Sequence, residues 1–144
     1  MKLFTIGFTN KSAEEFFSRL QRAGVKRVVD VRLNNTGQLA GFSKRDDLKF
    51  FTRSILGAEY LHLPILAPTQ EMLDEYRKEK RGWPDYEEKF LNLIKEREIE
   101  KNVSREALEN SCLLCSEDKP HLCHRRIVAE YLRDKWGDLH IAHL

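Results

Sequence analysis

Residues able to carry chemistry crowd the segment between Cys112 and Arg126. Cysteine acts as a nucleophile only as its thiolate, and Cys115 stands where an apolar run meets a polar turn. A nearby Arg and a helix N-terminus would lower its pKa there. An inert, buried thiol is the competing reading of the same position. Glu117 is spaced to work as a general acid or base beside Cys115, or simply to cap the helix that follows. One reaction is disfavoured by spacing: a tyrosine-phosphatase-type loop needs Arg six residues after its Cys, and His121 occupies that place.

Cys112-Leu-Leu-Cys115 followed by His121, Cys123 and His124 also offers enough ligands for zinc. On an extended strand, however, positions three apart point to opposite faces, and Leu113-Leu114 suits a core strand better than a metal knuckle. The spacing therefore predicts no metal site, and nothing else in the chain implies a cofactor. His62, His140 and His143 are single histidines on or near strands, where a structural role is the usual one.

Anion binding is the stronger expectation. Cys123-His124-Arg125-Arg126 opens a helix whose unpaired N–H groups and dipole already favour negative charge. Helical spacing assigns Arg125 to the site and leaves Arg126 to solvent, beside Glu130. Arg32 shares a strand face with Asp30, so the two can pair, and an Arg so held is well oriented to receive phosphate or carboxylate bidentately. As exposed residues at element ends, Arg32 and Arg125 should each cost at most about 1 kcal/mol when removed.

These residues need a scaffold. Leu3 to Ile6, closed by Gly7, reads as a strand. Ser12-Ala13-Glu14-Glu15 is a capping box opening a helix with Phe16, Phe17, Leu20 and Ala23 at helical spacing, and Gly24 ends it. Arg27 to Val31 is a second strand, completing a βαβ unit with parallel strands. Arg32 to Phe42 is polar and irregular. Ser43-Lys44-Arg45-Asp46 then caps a helix carrying Leu48, Phe51 and Ile55. Tyr60 to Leu63 alternates like a strand. Thr69 and Asp85 cap two charged helices separated by Gly82-Trp83-Pro84, the second turning Tyr86, Phe90, Leu93 and Ile94 to the core.

Residues 98–110 carry no assignable element. Cys112 to Cys115 is apolar throughout, as a central parallel strand buried on both faces would be. A helix from about Cys123 to Lys135 follows, with Ile127, Val128, Tyr131 and Leu132 on one side and Gly137 as its stop. Leu139 to Ile141 is the last strand. The predicted architecture is a single three-layer α/β/α domain spanning residues 1–144 with a mostly parallel sheet. In such sheets ligands bind outside the carboxyl ends of the strands. That rule selects Gly7 and Thr9 after the first strand, Arg32 and Asn34 after the second, and Cys115 with Glu117 after the late one. Ser43 and Lys44 at a helix start, and Cys123, His124 and Arg125 at another, complete the expected ligand-binding set.

Composition limits the classes of function. Lys plus Arg number 25 against 23 for Asp plus Glu, leaving a formal charge of +2. That is too little for nonspecific attraction to a polyphosphate backbone to dominate, although a local basic pocket is compatible with it. No apolar run approaches the ~20 residues that span a bilayer, and the first residues turn polar too soon for a signal peptide. Three cysteines, an odd number, argue against a disulfide framework. A cytoplasmic protein is expected. Oligomeric state is left open.

Thr5-Ile6-Gly7-Phe8-Thr9, Val29-Asp30-Val31-Arg32, Gly41-Phe42-Ser43-Lys44, Tyr60-Leu61-His62-Leu63, Leu113-Leu114-Cys115-Ser116-Glu117 and Cys123-His124-Arg125-Arg126 follow one another in fixed order. They resemble the successive signatures of domain of unknown function 488. The resemblance implies a small cytoplasmic α/β protein with a polar site. Two departures fall in that site: Phe8-Thr9 stands where His-Ser is common, and Asn34-Asn35-Thr36 where a Pro and a Ser are common. The leading expectation is an enzyme or sensor that binds a phosphate-bearing small molecule or nucleotide, with Arg32 and Arg125 on the anion and Cys115 and Glu117 beside the reacting group. A noncatalytic nucleic-acid or protein adaptor, docking through the basic helix start and the charged helices between Thr69 and Arg97, is the alternative.

Overall fold

Ser12 sits at the head of helix α1 (Ala13–Ala23) with its hydroxyl accepting from the Glu15 amide at 3.1 Å. Only half of a capping box forms, because the Glu15 carboxylate pairs with Arg19 instead. Phe16, Phe17 and Leu20 are buried, and Gly24 closes the helix at φ 71°, a backbone conformation that a Cβ disfavours. The helix joins β1 (Lys2–Gly7) to β2 (Arg27–Asp30). This computed structural model describes residues 1–78 and 82–144, and of residues 38–40 and 78 only the backbone. Residues 79–81, between the two charged helices, lie outside that description.

The chain continues through a 3₁₀ turn (Gln38–Ser43) into α2 (Arg45–Phe51), which runs on as a π-type turn over Thr52–Leu56. It then passes through β3 (Glu59–His62), α3 (Gln70–Lys78), α4 (Trp83–Glu96), α5 (Ile99–Asn102), α6 (Arg105–Leu108), β4 (Ser111–Cys115), α7 (His124–Trp136) and β5 (His140–His143). The five strands form one sheet in the order β3-β2-β4-β1-β5, and every pairing is parallel.

Two expectations about strand neighbours resolve here. The parallel unit from β1 to β2 forms, but β4 enters between its strands, pairing Gly7 with Cys115 on one side and Asp30 with Leu114 on the other. All five residues of β4 are buried, as an apolar central strand requires. Its alternation sends Cys112 and Leu114 into the layer containing α1 and α2. Leu113 and Cys115 face the layer containing α4, α5 and α7. The three-layer α/β/α fold is therefore present.

Some local expectations need correction. Ser43 does not cap α2: Lys44 holds that position without a side-chain bond, and Ser43 lies buried one residue earlier. Ile55 is 46% exposed, because the π-type turn rotates it off the buried face that Leu48 occupies. Thr69 does cap α3, accepting from the Met72 amide. Asp85 instead lies in the first turn of α4, whose start at Trp83 is set by Pro84, a residue that suits a first helical turn. The unassigned stretch 98–110 contains two short helices, the second capped by the Ser104 hydroxyl on the Ala107 amide.

Candidate active site

Because all strands run parallel, β1, β2 and β4 end together at Gly7, Asp30 and Cys115. Asp30 is fully buried, and Arg32 wraps back onto it with Nε to Oδ1 and Nη2 to Oδ2, both at 2.8 Å. The Arg32 amide donates to Oδ1 as well, and Tyr60 and Asn35 donate to Oδ2. Nη2 also reaches the Ser43 carbonyl at 2.7 Å, and the guanidinium lies 5.3 Å from the centre of the Phe8 ring. Among the described residues Nη1 has no hydrogen-bond partner. The pairing and the ligand-facing reading of Arg32 are thus compatible in one geometry. At 5% exposure, however, Arg32 is not the exposed residue expected from its place at a strand end.

Burial alone would raise the Asp30 pKa, but the hydrogen bonds and charge of Arg32, aided by Tyr60, outweigh it and hold the carboxyl below the ordinary carboxylate value. A depressed folded-state pKa contributes stability that is present above the unfolded value and is lost as pH falls through the folded one. Wild type should therefore lose melting temperature on acidification below about pH 4. Asp30→Asn should start lower at neutral pH and show a flatter acid limb in the same melts. Parallel acid limbs would mean that Asp30 does not carry this dependence.

At the end of β4, Cys115 faces the N-terminus of α7. Its Sγ lies 3.6 Å from His124 Nδ1 and 3.8 Å from Nε2, while Nε2 is 2.7 Å from the Val31 carbonyl. A carbonyl can only accept, so Nε2 donates that bond, and the sulfur lies beside the imidazole ring, nearly equidistant from its two nitrogens. The Cys123 thiol, with the Ser116 and Glu117 amides and the Arg125 charge, pulls the Cys115 pKa down against its burial. Burial pushes the Cys112 and Cys123 thiols up. Iodoacetamide near neutral pH should accordingly alkylate Cys115 well before Cys112. Equal resistance at both in chelator-treated protein, read by peptide mass mapping, would leave Cys115 as packing.

Arg125 is placed otherwise than expected. It is 2% exposed, with Nε on Thr5 Oγ1 at 3.3 Å, Nη1 on the Glu117 carbonyl and Nη2 on the Asp118 carbonyl at 3.1 Å. Its nitrogens are spent on β1 and the turn after β4, and its removal should cost far more than an exposed side chain would. Arg126 is not left to solvent either, since it bridges Glu130 of its own helix and Glu87 of α4.

A pocket of about 320 Å³ opens at these strand ends. Arg32, Asn34, Cys115, Glu117, Cys123 and His124 line it, so six of the residues selected from sequence converge. Gly7, Thr9, Ser43, Lys44 and Arg125 do not line it. Thr9 and Gly7 instead lie against the turn after β4, through the Ser116 and Glu117 carbonyls. The exposed Glu117 carboxylate has no partner among the described residues, and it does not cap the helix that follows, α7, whose cap position is Cys123. Sequence reading missed the opposite wall. Tyr76, Trp83 and Tyr86 stand with ring centres 5.1 to 6.1 Å apart, and Arg77 lies beside them. The aromatic spacing across Gly82 was the available signal, but it reads equally as core.

The family model for the domain of unknown function DUF488 matches residues 12–132. The chain belongs to the DUF488 family. No curated protein and no solved structure matches it. In this DUF488 protein the Asp-Val-Arg, Leu-Leu-Cys-Ser-Glu and Cys-His-Arg-Arg signatures come from three separate places in the chain and meet at one end of the sheet. Phe8 supplies the ring beside Arg32. No helix among its described residues is long and apolar enough to cross a membrane.

Proposed function

We propose that this DUF488 protein is an enzyme acting on a phosphate-bearing small molecule with a planar ring, of nucleotide type. The supporting observation is Arg32: Asp30 orients it, its Nη1 has no hydrogen-bond partner among the described residues, and it lines a pocket together with Tyr76, Trp83 and Tyr86. A fixed guanidinium edge suits a phosphate oxygen, and aromatic faces suit a flat ring. The volume lies at the lower end of the roughly 300–1,000 Å³ usual for small-molecule sites. With its anion on Arg32 and its ring on the aromatic wall, the ligand has its reacting group over Cys115. Glu117 at the rim carries the proton. The adaptor reading has less support, because His124 and Arg125 at the basic helix start are buried and Arg126 is ion-paired.

Nucleotides, sugar phosphates and simple oxyanions screened by thermal shift test this. A ligand at about a hundred times its dissociation constant stabilises the native state by roughly 2.7 kcal/mol, a rise of about 5–10 °C. Arg32→Lys keeps a positive charge beside Asp30 but loses the fork, so it should fold and yet lose most of that response. A wild type indifferent to every phosphate-bearing compound, or an Arg32→Lys variant that responds in full, overturns the reading.

A further inference from the structure

Three soft or borderline metal-ligating atoms lie together on the floor of the pocket. The Cys115 and Cys123 sulfurs and one nitrogen of His124 are all within 4.8 Å of one another, and the three residues are buried. They arrive from the end of β4 and from the cap and first residue of α7. Cys112, on the opposite face of β4, takes no part. The objection from sequence, that Cys112 and Cys115 diverge, is correct for that pair and does not touch this one.

We infer that Cys115, Cys123 and His124 bind a zinc ion whose fourth coordination position opens into the pocket. Zinc–sulfur bonds of about 2.3 Å and zinc–nitrogen bonds of about 2.0–2.1 Å, at a tetrahedral angle, set sulfur and nitrogen roughly 3.6 Å apart. The Cys115 Sγ to His124 Nδ1 distance is 3.6 Å, and because Sγ is also 3.8 Å from Nε2 the imidazole must turn on binding to aim Nδ1 at the ion. The Nε2 of His124 gives its proton to the Val31 carbonyl, the arrangement by which metal-bound imidazoles are commonly oriented, and Nδ1 is left as the donor atom. Two thiolates and an imidazole suit zinc rather than magnesium or calcium, which prefer oxygen. Structural zinc sites close with four protein ligands, whereas three protein ligands and one open position are the pattern of reactive sites. Here the open position faces the space lined by Arg32 and Glu117, where a water or a ligand oxygen would complete the coordination. The inference deepens the function proposed above and rests on it only in the identity of that oxygen.

The full chain, purified without a metal-binding tag from zinc-supplemented cells, should carry about one zinc ion per chain by elemental analysis. Cobalt exchanged for that zinc should give the intense near-ultraviolet absorption of sulfur-to-cobalt charge transfer. Cys115→Ser and Cys123→Ser should release the metal to a chelator that leaves wild type loaded, whereas Cys112→Ala should keep it. Loading should also slow iodoacetamide at Cys115. If the serine variants do not fold, the cobalt spectrum of wild type decides alone. No bound zinc and no charge-transfer band would leave a hydrogen-bonded cluster only and overturn the inference, as would full retention in both serine variants. A phosphate-ligand shift that persists in metal-free protein without any zinc binding removes the metal and leaves the pocket reading standing. Zinc-loaded wild type with no ligand response does the reverse.

Discussion

Gly7→Ala should lower the melting temperature by roughly 10–20 °C, the equivalent of about 3–5 kcal/mol. A Cβ at position 7 would stand 1.6 Å from the Glu117 carbonyl oxygen and 2.5 Å from its carbon, with Arg125 Nη1 at 3.0 Å. The obstacle is backbone in the turn that leaves β4, so a rotamer change cannot relieve it. Either β1 or that turn must move, and both are held. Gly7 is paired in register with Cys115, while the Thr9 amide donates to the Ser116 carbonyl at 3.1 Å. Because the same turn presents Cys115 and Glu117 to the pocket, the variant should also alkylate faster at Cys115 at temperatures where it is still folded. A drop under about 1 kcal/mol would show that the turn yields easily, and the close packing of β1 against it would lose its importance.

Arg125→Met should cost about 3 kcal/mol in urea unfolding, seen as a lower midpoint at unchanged slope. The guanidinium joins β1, the turn after β4 and α7 through Thr5 and the carbonyls of Glu117 and Asp118. The Thr5 hydroxyl in turn shares a 2.6 Å hydrogen bond with His143 Nδ1, which extends the network to β5. Met replaces the apolar stem of the side chain, reaching about as far as Nε, but offers no donor, so the carbonyls must find water in a site that is largely closed. Arg125→Lys should recover less than half of the loss, because one ammonium cannot serve three acceptors in the fixed fork geometry that Arg supplies. Arg126→Ala is the control: its ion pairs with Glu87 and Glu130 are partly exposed, and about 1 kcal/mol or less is expected. If Arg125→Met unfolds no more easily than Arg126→Ala, the turn is held by something other than this network.

Much of the fold was legible because it is local. Alternating or continuous apolar runs located all five strands, and the signals at Ser12, Gly24, Thr69 and Gly137 located helix ends, since a cap answers to residues only a few positions away. Where two local signals competed, the reading failed. Ser43 looked like a cap, yet its carbonyl serves Arg32 and its side chain is buried. Asp85 looked like a cap, yet Pro84 had already set the helix start.

The candidate site divides along the same line. From sequence alone the parallel βαβ pattern determined that the carboxyl ends of the strands would carry the polar loops, which is why Arg32, Asn34, Cys115, Glu117, Cys123 and His124 could be named together. Only the tertiary structure decided what each one does there. Strand order was not encoded locally, and β4 entering between β1 and β2 is what sets Cys115 beside Val31 and His124. The sequence made Arg125 and Cys123 ligand-binding residues. Packing spent every nitrogen of the first on carbonyls or a hydroxyl and turned the sulfur of the second toward Cys115. The physical reason is that a side chain's type and spacing limit what it can bond, whereas the partner it finds depends on which distant backbone groups the sheet brings within about 3 Å.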